Sequence, residues 1–534
     1  MKRKSRVLTA MLALGLLALA VLSGCGKSSG TAKTTLSVAL AGDIVSLDPA
    51  FAYDYTTNPV VNQITEGLLA YDADSKVMPK LAKSWKADDP TTYIYEIRDD
   101  VKFSDGTPLT MEDVLFSLKR VMDPATASYL GWMYSNVQSI APTGDWQITI
   151  KLKRPDALWQ YTLATTAGHV ISKAYHDAHT ENFGKPDGGV MGTGAYVYKS
   201  WTTGSEIVLE RNPNYWDKSA KIEVEKIVFK IIPENTTRVT AMITGQVDFA
   251  IDPPVDMLDQ ITASKSVNVA TLDGFGIDFI AFNCERKPFN DPNVRKAIYY
   301  AIDRQAISKN IIKDTGTPAN SLPMSKALWT IETDKWAKFA KELPVYGYDL
   351  GKAKEYLAKS SAASGFNMSL ICNEDSVKNS IVLAVQENLK ALNINVSIEK
   401  VSADELISIQ FGGRMKDGRR DYDAMLAMWE SDFPDPAGNL TSLYSSANKG
   451  EGGSNTAAYS NDPVQQLIEA QTVSTDPGER TRLMQQAFTL ANEDAPYVMV
   501  NYPKKILVTN KRISGFKLNA AWIWNLYMKD IKLH

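Results

Sequence analysis

The stretch from Asn367 to Val401, "NMSLICNEDSVKNSIVLAVQENLKALNINVSIEKV", decides the fold. It opens on "NMSLIC" and closes on "INVSIEKV", two apolar runs of strand length. Between them Val377, Ile381, Val385, Leu389 and Leu392 recur at helical spacing, which gives one apolar helix face. "ADELISIQF" then reads as a helix and "YDAMLAMW" as the next strand. An earlier unit has the same order: "EKIVFKII" as a strand, "PENTTRVTAMITG" as a helix ending at Gly245, "QVDFAI" as a strand. Such alternation predicts an α/β protein with mostly parallel sheets covered by helices. Ligands of open sheets of this kind sit beyond the carboxyl ends of the strands.

Two further segments read clearly. "TYIYEIRDDVKFSDGTPLTMEDVLFSLKRVM" is a strand, a polar turn at Ser104 to Gly106, and a helix. Thr110 and Asp113 fit a capping box, with Asp113 in the place of the usual Glu or Gln. "NDPNVRKAIYYAIDRQAISKNII" reads as one helix with Pro292 near its first turn. Its apolar face includes Val294, Ile298, Ile302 and Ile307, and it presents Arg295, Lys296 and Arg304. Neither segment is assigned a ligand role.

The chain has 534 residues, too many for one hydrophobic core, so two or more domains are expected. A net charge of −3 argues against a nucleic-acid partner, which needs a basic face. The N-terminus is a targeting segment. "MKRKSR" is a basic n-region, and "VLTAMLALGLLALAV" is shorter than the ~20 apolar residues that span a bilayer. "LSGC", Leu22 to Cys25, resembles a lipobox. Residues 1–24 are therefore expected to be a signal peptide, Cys25 the lipidation site and 25–34 a flexible tether. Two other cysteines remain, Cys284 and Cys372. Export permits a disulfide, and their spacing does not decide between a bridge and two thiols.

Some motifs fail on context. "GKSSG" matches G-x-S-x-G, and "GCGKSS" looks like the end of a Walker A loop. Both lie in the targeting segment and tether, and Val21 occupies the position of the first Walker glycine. "GTGAY" lacks the third Gly of a dinucleotide fingerprint. His176 and His179 in "YHDAH" lack a third ligand, and an exposed polar helix face accounts for them. No catalytic residue, metal ligand or cofactor is assigned.

"YDAMLAMWESDFPDPAGNL", Tyr422 to Leu440, is the candidate site. An apolar run ends on Trp429, and Asp432 follows three residues later. Asp432 and Asp435 would serve an Asp-Pro turn. Placement after an α/β strand instead favours Asp432 at the mouth of a ligand cleft.

At this point the chain resembles a known family, the extracytoplasmic solute-binding proteins (family 5) of oligopeptide and dipeptide ABC transporters. Six segments carry the resemblance in the family's order. They are "SLDPAFAYDYTTNPVVNQITEGLLAYD", "PKLAKSWKADDPTTYIYEIRDDVKFSDGTPLTMEDVLFS", "GTGAYVYKSWTTGSEIVLERNPNYW", "FNCERKPFNDPNVRKAIYYAIDR", "WESDFPDPAGNL" and "APYVMVNYPKKILV". The resemblance implies a two-lobed periplasmic-binding-protein-like fold (class II, cluster C type) closing on ligand, with an extra subdomain in lobe 1. Lobe 1 is expected at 35–74, 189–283 and 499–534, the subdomain at 75–188 and lobe 2 at 284–498, with crossovers near Asn283 and Val500.

The resemblance also implies site residues. In peptide-binding members a Trp-x-x-Asp at this strand end holds the ligand's α-ammonium, which here points to Trp429 and Asp432. Tyr53 and Asp54 follow "SLDPA", a segment that lines the cleft in relatives. Some members place an Arg in the strand before the Trp; "AMLAM" has none, so a cation for the ligand carboxylate must come from elsewhere. Arg414, Lys416, Arg419 and Arg420 of "GGRMKDGRRDYD" could supply one, Arg414 and Arg420 being the candidates carried forward, while the stretch reads more readily as a solvated charged loop. The implied partners are a peptide ligand, an ABC permease with its ATPase subunits and, through the lipid, a membrane; the protein is expected to be a monomer. Other readings are the same fold binding a nickel chelate, haem, an oligosaccharide or an opine; a peptide-sensing receptor; and an exported hydrolase.

Overall fold

The computed structural model describes residues 34–319 and 321–534. The expected signal peptide and Cys25 lie outside the described residues. One twelve-stranded sheet runs through the molecule. In chain order its strands are β1 (Thr35–Leu40), β2 (Tyr196–Thr202), β3 (Glu206–Arg211), β4 (Lys226–Ile231), β5 (Phe249–Ile251), β6 (Val267–Asp273), β7 (Gly276–Phe282), β8 (Gly316–Pro318), β9 (Phe366–Asn373), β10 (Ile394–Val401), β11 (Ala424–Glu430) and β12 (Tyr497–Asn510). The sheet order is β2-β3-β4-β1-β5-β12-β7-β11-β9-β10, and β6 and β8 also pair with β12.

The expectation of mostly parallel sheets needs correction. β1 is parallel to β4 and β5, and β9 to β10 and β11, but every other pairing is antiparallel. The reason is β12, a strand of 14 residues shared by both lobes. Tyr497 to Asn501 pair with β7 in one lobe, and Lys504 to Asn510 with β6 in the other. Helix-linked parallel strands form the heart of each lobe, and antiparallel strands join them. Between β6 and β7, at Gly274–Phe275, pairing passes from the Lys504–Asn510 half of β12 to its Tyr497–Asn501 half. The chain is tight there: a Cβ on Gly276 would come within 2.9 Å of Pro503 Cγ.

Four helices matter below: α1 (Thr57–Ile64), α2 (Met111–Met122), α3 (Pro292–Ala301) and α4 (Ser376–Leu389). The decisive stretch folds as read. β9 and β10 pair in parallel register from Phe366↔Ile394 to Asn373↔Val401, and α4 connects them. Ile381, Val385 and Leu389 are buried against this sheet. The capping box is present: Thr110 Oγ1 accepts from the Asp113 amide, and Asp113 Oδ2 from the Thr110 amide. This α2 cap packs beside a separate antiparallel sheet, Ala82–Asp89, Thr92–Ile97, Gln147–Leu152 and Val137–Gly144.

The segment after Pro292 is not one helix. α3 stops at Ala301, and a short turn, Arg304–Ile307, follows. Nor does it present all three of its basic residues. Arg295 is buried and donates to the carbonyls of Phe289, Asp494 and Ala495. Arg304 is buried and donates to those of Ala319, Met499 and Tyr346. A guanidinium carries five donors, which suits it to gathering backbone carbonyls. Cys284 and Cys372 are unpaired thiols. Among the described residues, no helix is long and apolar enough to cross a membrane.

Candidate functional site

β11 ends at Glu430, and the two acids of "SDFPDP" part company there. Asp435 is fully buried and takes the structural role. Arg480 holds it bidentately at 2.9 and 3.0 Å, and its carboxylate also accepts the Ala437 amide. Among the described residues, Asp432 has no such cation. Its Oδ1 accepts from the Tyr53 hydroxyl at 2.6 Å, and its backbone carbonyl from Trp524 Nε1 at 2.8 Å. Burial pushes the Asp432 carboxyl up to about 6; the Tyr53 hydrogen bond opposes this, and nearby Glu430 reinforces it. A half-buried carboxylate that holds a hydroxyl and no counter-charge among the described residues is prepared for a cation.

A second acid stands beside it. Glu430 Oε2 accepts from the Tyr55 hydroxyl at 2.6 Å and from Lys505 Nζ at 2.8 Å. Lys505 lies over the rings of Tyr55 and Trp522, which stack on each other at 5.5 Å. Burial alone would lower Lys505, but Glu430 and Asp252 outweigh it and hold the ammonium above its usual range. Asp252 itself is raised by burial and sits farther from Lys505, at 3.5 Å, so Glu430 is the principal partner. Burial and the neighbouring acids raise the Tyr53 and Tyr55 phenols, so both remain hydrogen-bond donors.

The constellation spans both lobes. Tyr53 and Tyr55 precede α1; Glu430 and Asp432 close β11; Lys505 belongs to the shared strand β12; Trp522 and Trp524 come from the C-terminal segment. Deeper between the lobes lies a cavity of about 360 Å³, whose walls include Met428, Glu430, Asp278, Lys378 and Lys505. It adjoins a larger groove of about 690 Å³, with Val255, Ile312, Thr315, Val377 and Lys504 common to both. Lys378 pairs with Asp278, and Asn501 donates to the same carboxylate.

The other sequence-predicted residues do different work. Trp429 lies on the opposite face of β11 from Met428 and Glu430, because side chains alternate along a strand. It packs against Phe411 at 6.1 Å. The Asp54 carboxylate accepts from the amides of Thr56 and Thr57 and from the Thr56 hydroxyl, so it caps the start of α1. Arg414 pairs with Glu399 and Glu405. Arg420 is buried and donates to the carbonyls of Ile409, Gln410 and Gly453. Neither guanidinium is left for a ligand carboxylate; local anions and backbone carbonyls hold both. His179 Nδ1 lies 2.8 Å from the Tyr175 carbonyl. Among the described residues, no group of three or more His, Cys, Asp or Glu side chains could hold a metal ion.

Sequence reasoning missed Tyr55, Glu430, Lys505, Trp522 and Trp524. The "YDYT" and "WES" contexts put the first two beside residues already chosen. The paired aromatics of "WIW" were a signal without a position, since only the fold brings the C-terminal segment to β11.

Comparison with known proteins gives a consistent result. The model of the bacterial extracellular solute-binding proteins, family 5 Middle, matches residues 76–451. The chain is 29% identical over 499 residues to the probable D,D-dipeptide-binding periplasmic protein DdpA of Escherichia coli K12, covering 91% of this chain and 92% of that one. It is 26% identical over 507 residues to the glutathione-binding protein GsiB of the same strain, covering 94% and 95%. Among solved structures it is similar to the periplasmic binding protein DppA of Helicobacter pylori in complex with the peptide STSA. The TM-score is 0.78 at 25% identity, over 93% of this chain and 98% of that one.

Proposed function

Because the chain belongs to the bacterial extracellular solute-binding proteins of family 5, we propose that it captures peptides between its lobes and delivers them to an ABC permease and its ATPase subunits. Asp432 holds the ligand's α-ammonium. One observation carries this reading: a half-buried carboxylate just past a strand end, with the Tyr53 phenol on it and, among the described residues, no cation of its own. A peptide's α-amine, with a pKa near ~7.7–8.0, is mostly cationic at neutral pH. A charge-assisted hydrogen bond in a closed cleft adds roughly 1.5–3 kcal/mol, enough to set the ligand's register. Trp429 supports this site from behind the strand.

The same reading makes the protein an exported lipoprotein. It is tethered through Cys25 at the outer face of the cytoplasmic membrane in a Gram-positive host, or faces the periplasm in a Gram-negative one, and acts as a monomer. Native mass spectrometry of protein purified without added ligand tests the ligand class. A ladder of co-purifying peptide masses is expected. A single non-peptide mass, such as a nickel chelate, haem, an oligosaccharide or an opine, would overturn the peptide assignment.

A further inference from the structure

The cavity beneath Glu430 has a composition that selects for one kind of ligand side chain. Met428 is 39% exposed on a strand whose residues 424–427 are all buried, and it looks into this space. Val255, Ile312, Val377, Ile381 and Ile506 complete an apolar lining. Most of the charges around it already have a partner within the protein. Lys378 pairs with Asp278, Lys505 with Glu430 and Asp252, and Asp375 caps α4. Lys504 stands where the cavity meets the outer groove. A charged ligand group placed over Met428 would lose its water among charges that are mostly paired already, with Lys504 only at the cavity's mouth, which is costly. An apolar group would cover a flexible thioether that adapts its shape.

We propose, resting on the peptide reading above, that this cavity is the pocket for a bulky apolar side chain, and that it makes the protein selective among peptides. Position follows from the strand. Glu430 and Met428 lie two and four residues before Asp432, about 7 and 13 Å at ~3.3 Å per residue. An extended peptide anchored by its ammonium on Asp432 and running back along the strand therefore presents its third or fourth residue to the pocket. The volume of about 360 Å³ takes an aromatic side chain and leaves the rest of the chain to continue toward the groove.

The test is calorimetry with the tetrapeptides Ala-Ala-Xaa-Ala and Ala-Ala-Ala-Xaa, where Xaa is Ala, Phe, Asp or Lys. Phe at one of these positions is expected to bind at least about tenfold more tightly than Ala, and Asp and Lys more weakly than Ala. Met428→Trp, which fills the pocket, should erase the Phe advantage. Val377→Trp, from the opposite wall, provides a second variant should Met428→Trp fail to fold. Equal binding of all four residues at both positions, or a Phe advantage that survives both substitutions, would overturn the pocket and leave the peptide reading standing. Failure of every tetrapeptide to bind would instead overturn the peptide reading.

Discussion

Tyr53 Oη lies 2.6 Å from Asp432 Oδ1, across 379 residues of sequence. The phenol precedes α1, and the carboxylate stands two residues past the end of β11. The same span is crossed by Tyr55 on Glu430. On the proposed reading, ligand anchor and lobe contact are the same group, which would couple binding to closure.

Removing the phenol should loosen that coupling. A hydrogen bond to a charged acceptor contributes roughly 1.5–3 kcal/mol, so Tyr53→Phe should cut the closed fraction of unliganded protein by about one to two orders of magnitude. Small-angle scattering or a fluorophore pair across the lobes reads this. An unchanged distribution would detach Tyr53 from closure.

Affinity should depend on pH through Asp432. Its carboxyl ionises near pH 6 in the unliganded protein, and an ammonium ligand favours the ionised form. Binding should be strongest above pH 6 and weaken as pH falls through it, approaching about tenfold per unit. Tyr53→Phe removes the bond that favours the charged form, so it should move the midpoint upward. Calorimetry between pH 4.5 and 7.5 checks both. A flat profile would contradict the role of Asp432.

Stability runs the other way. The folded pKa lies above the ordinary value near ~3.9, so between these pH values the native state holds a proton that the unfolded chain has lost. Stability from this group is present below the window and is lost as pH rises through it. Asp432→Asn should therefore raise the melting temperature of unliganded protein at pH 7 and change it little at pH 4. A lower melting temperature at pH 7 would show that the charge stabilises the fold.

Asp435 should behave as Asp432 does not. Asp435→Ala leaves the Arg480 guanidinium buried without its partner, a loss of roughly 3–5 kcal/mol. A large drop in melting temperature is expected. Unchanged stability would mean that the pair is dispensable.

The sequence made the strand-helix units and the capping box legible because both rest on local spacing. It also brought Asp432 forward, since a carboxylate three residues past an apolar run is a local pattern. The mixed sheet was not legible, because β12 serves two lobes and no local signal marks a strand that changes partners midway. The roles of Asp54, Arg414 and Arg420 were hidden for a related reason. A charged residue in a loop reads the same whether it meets a ligand, caps a helix or gathers carbonyls. Lys505 reads as a surface residue in "PKKILV", yet it is buried between two aromatic rings and two acids.

The central claim is that Asp432 holds an α-ammonium, and a calorimetric double cycle tests it most directly. The four measurements pair wild type and Asp432→Asn with a free tetrapeptide and its N-acetylated form. Each single change should cost two to three orders of magnitude in affinity, because it leaves one buried charge unpaired or removes the other. The two together should cost little more than either alone, since they remove one interaction. Full binding of the acetylated peptide by wild type, or additive losses, would contradict the claim.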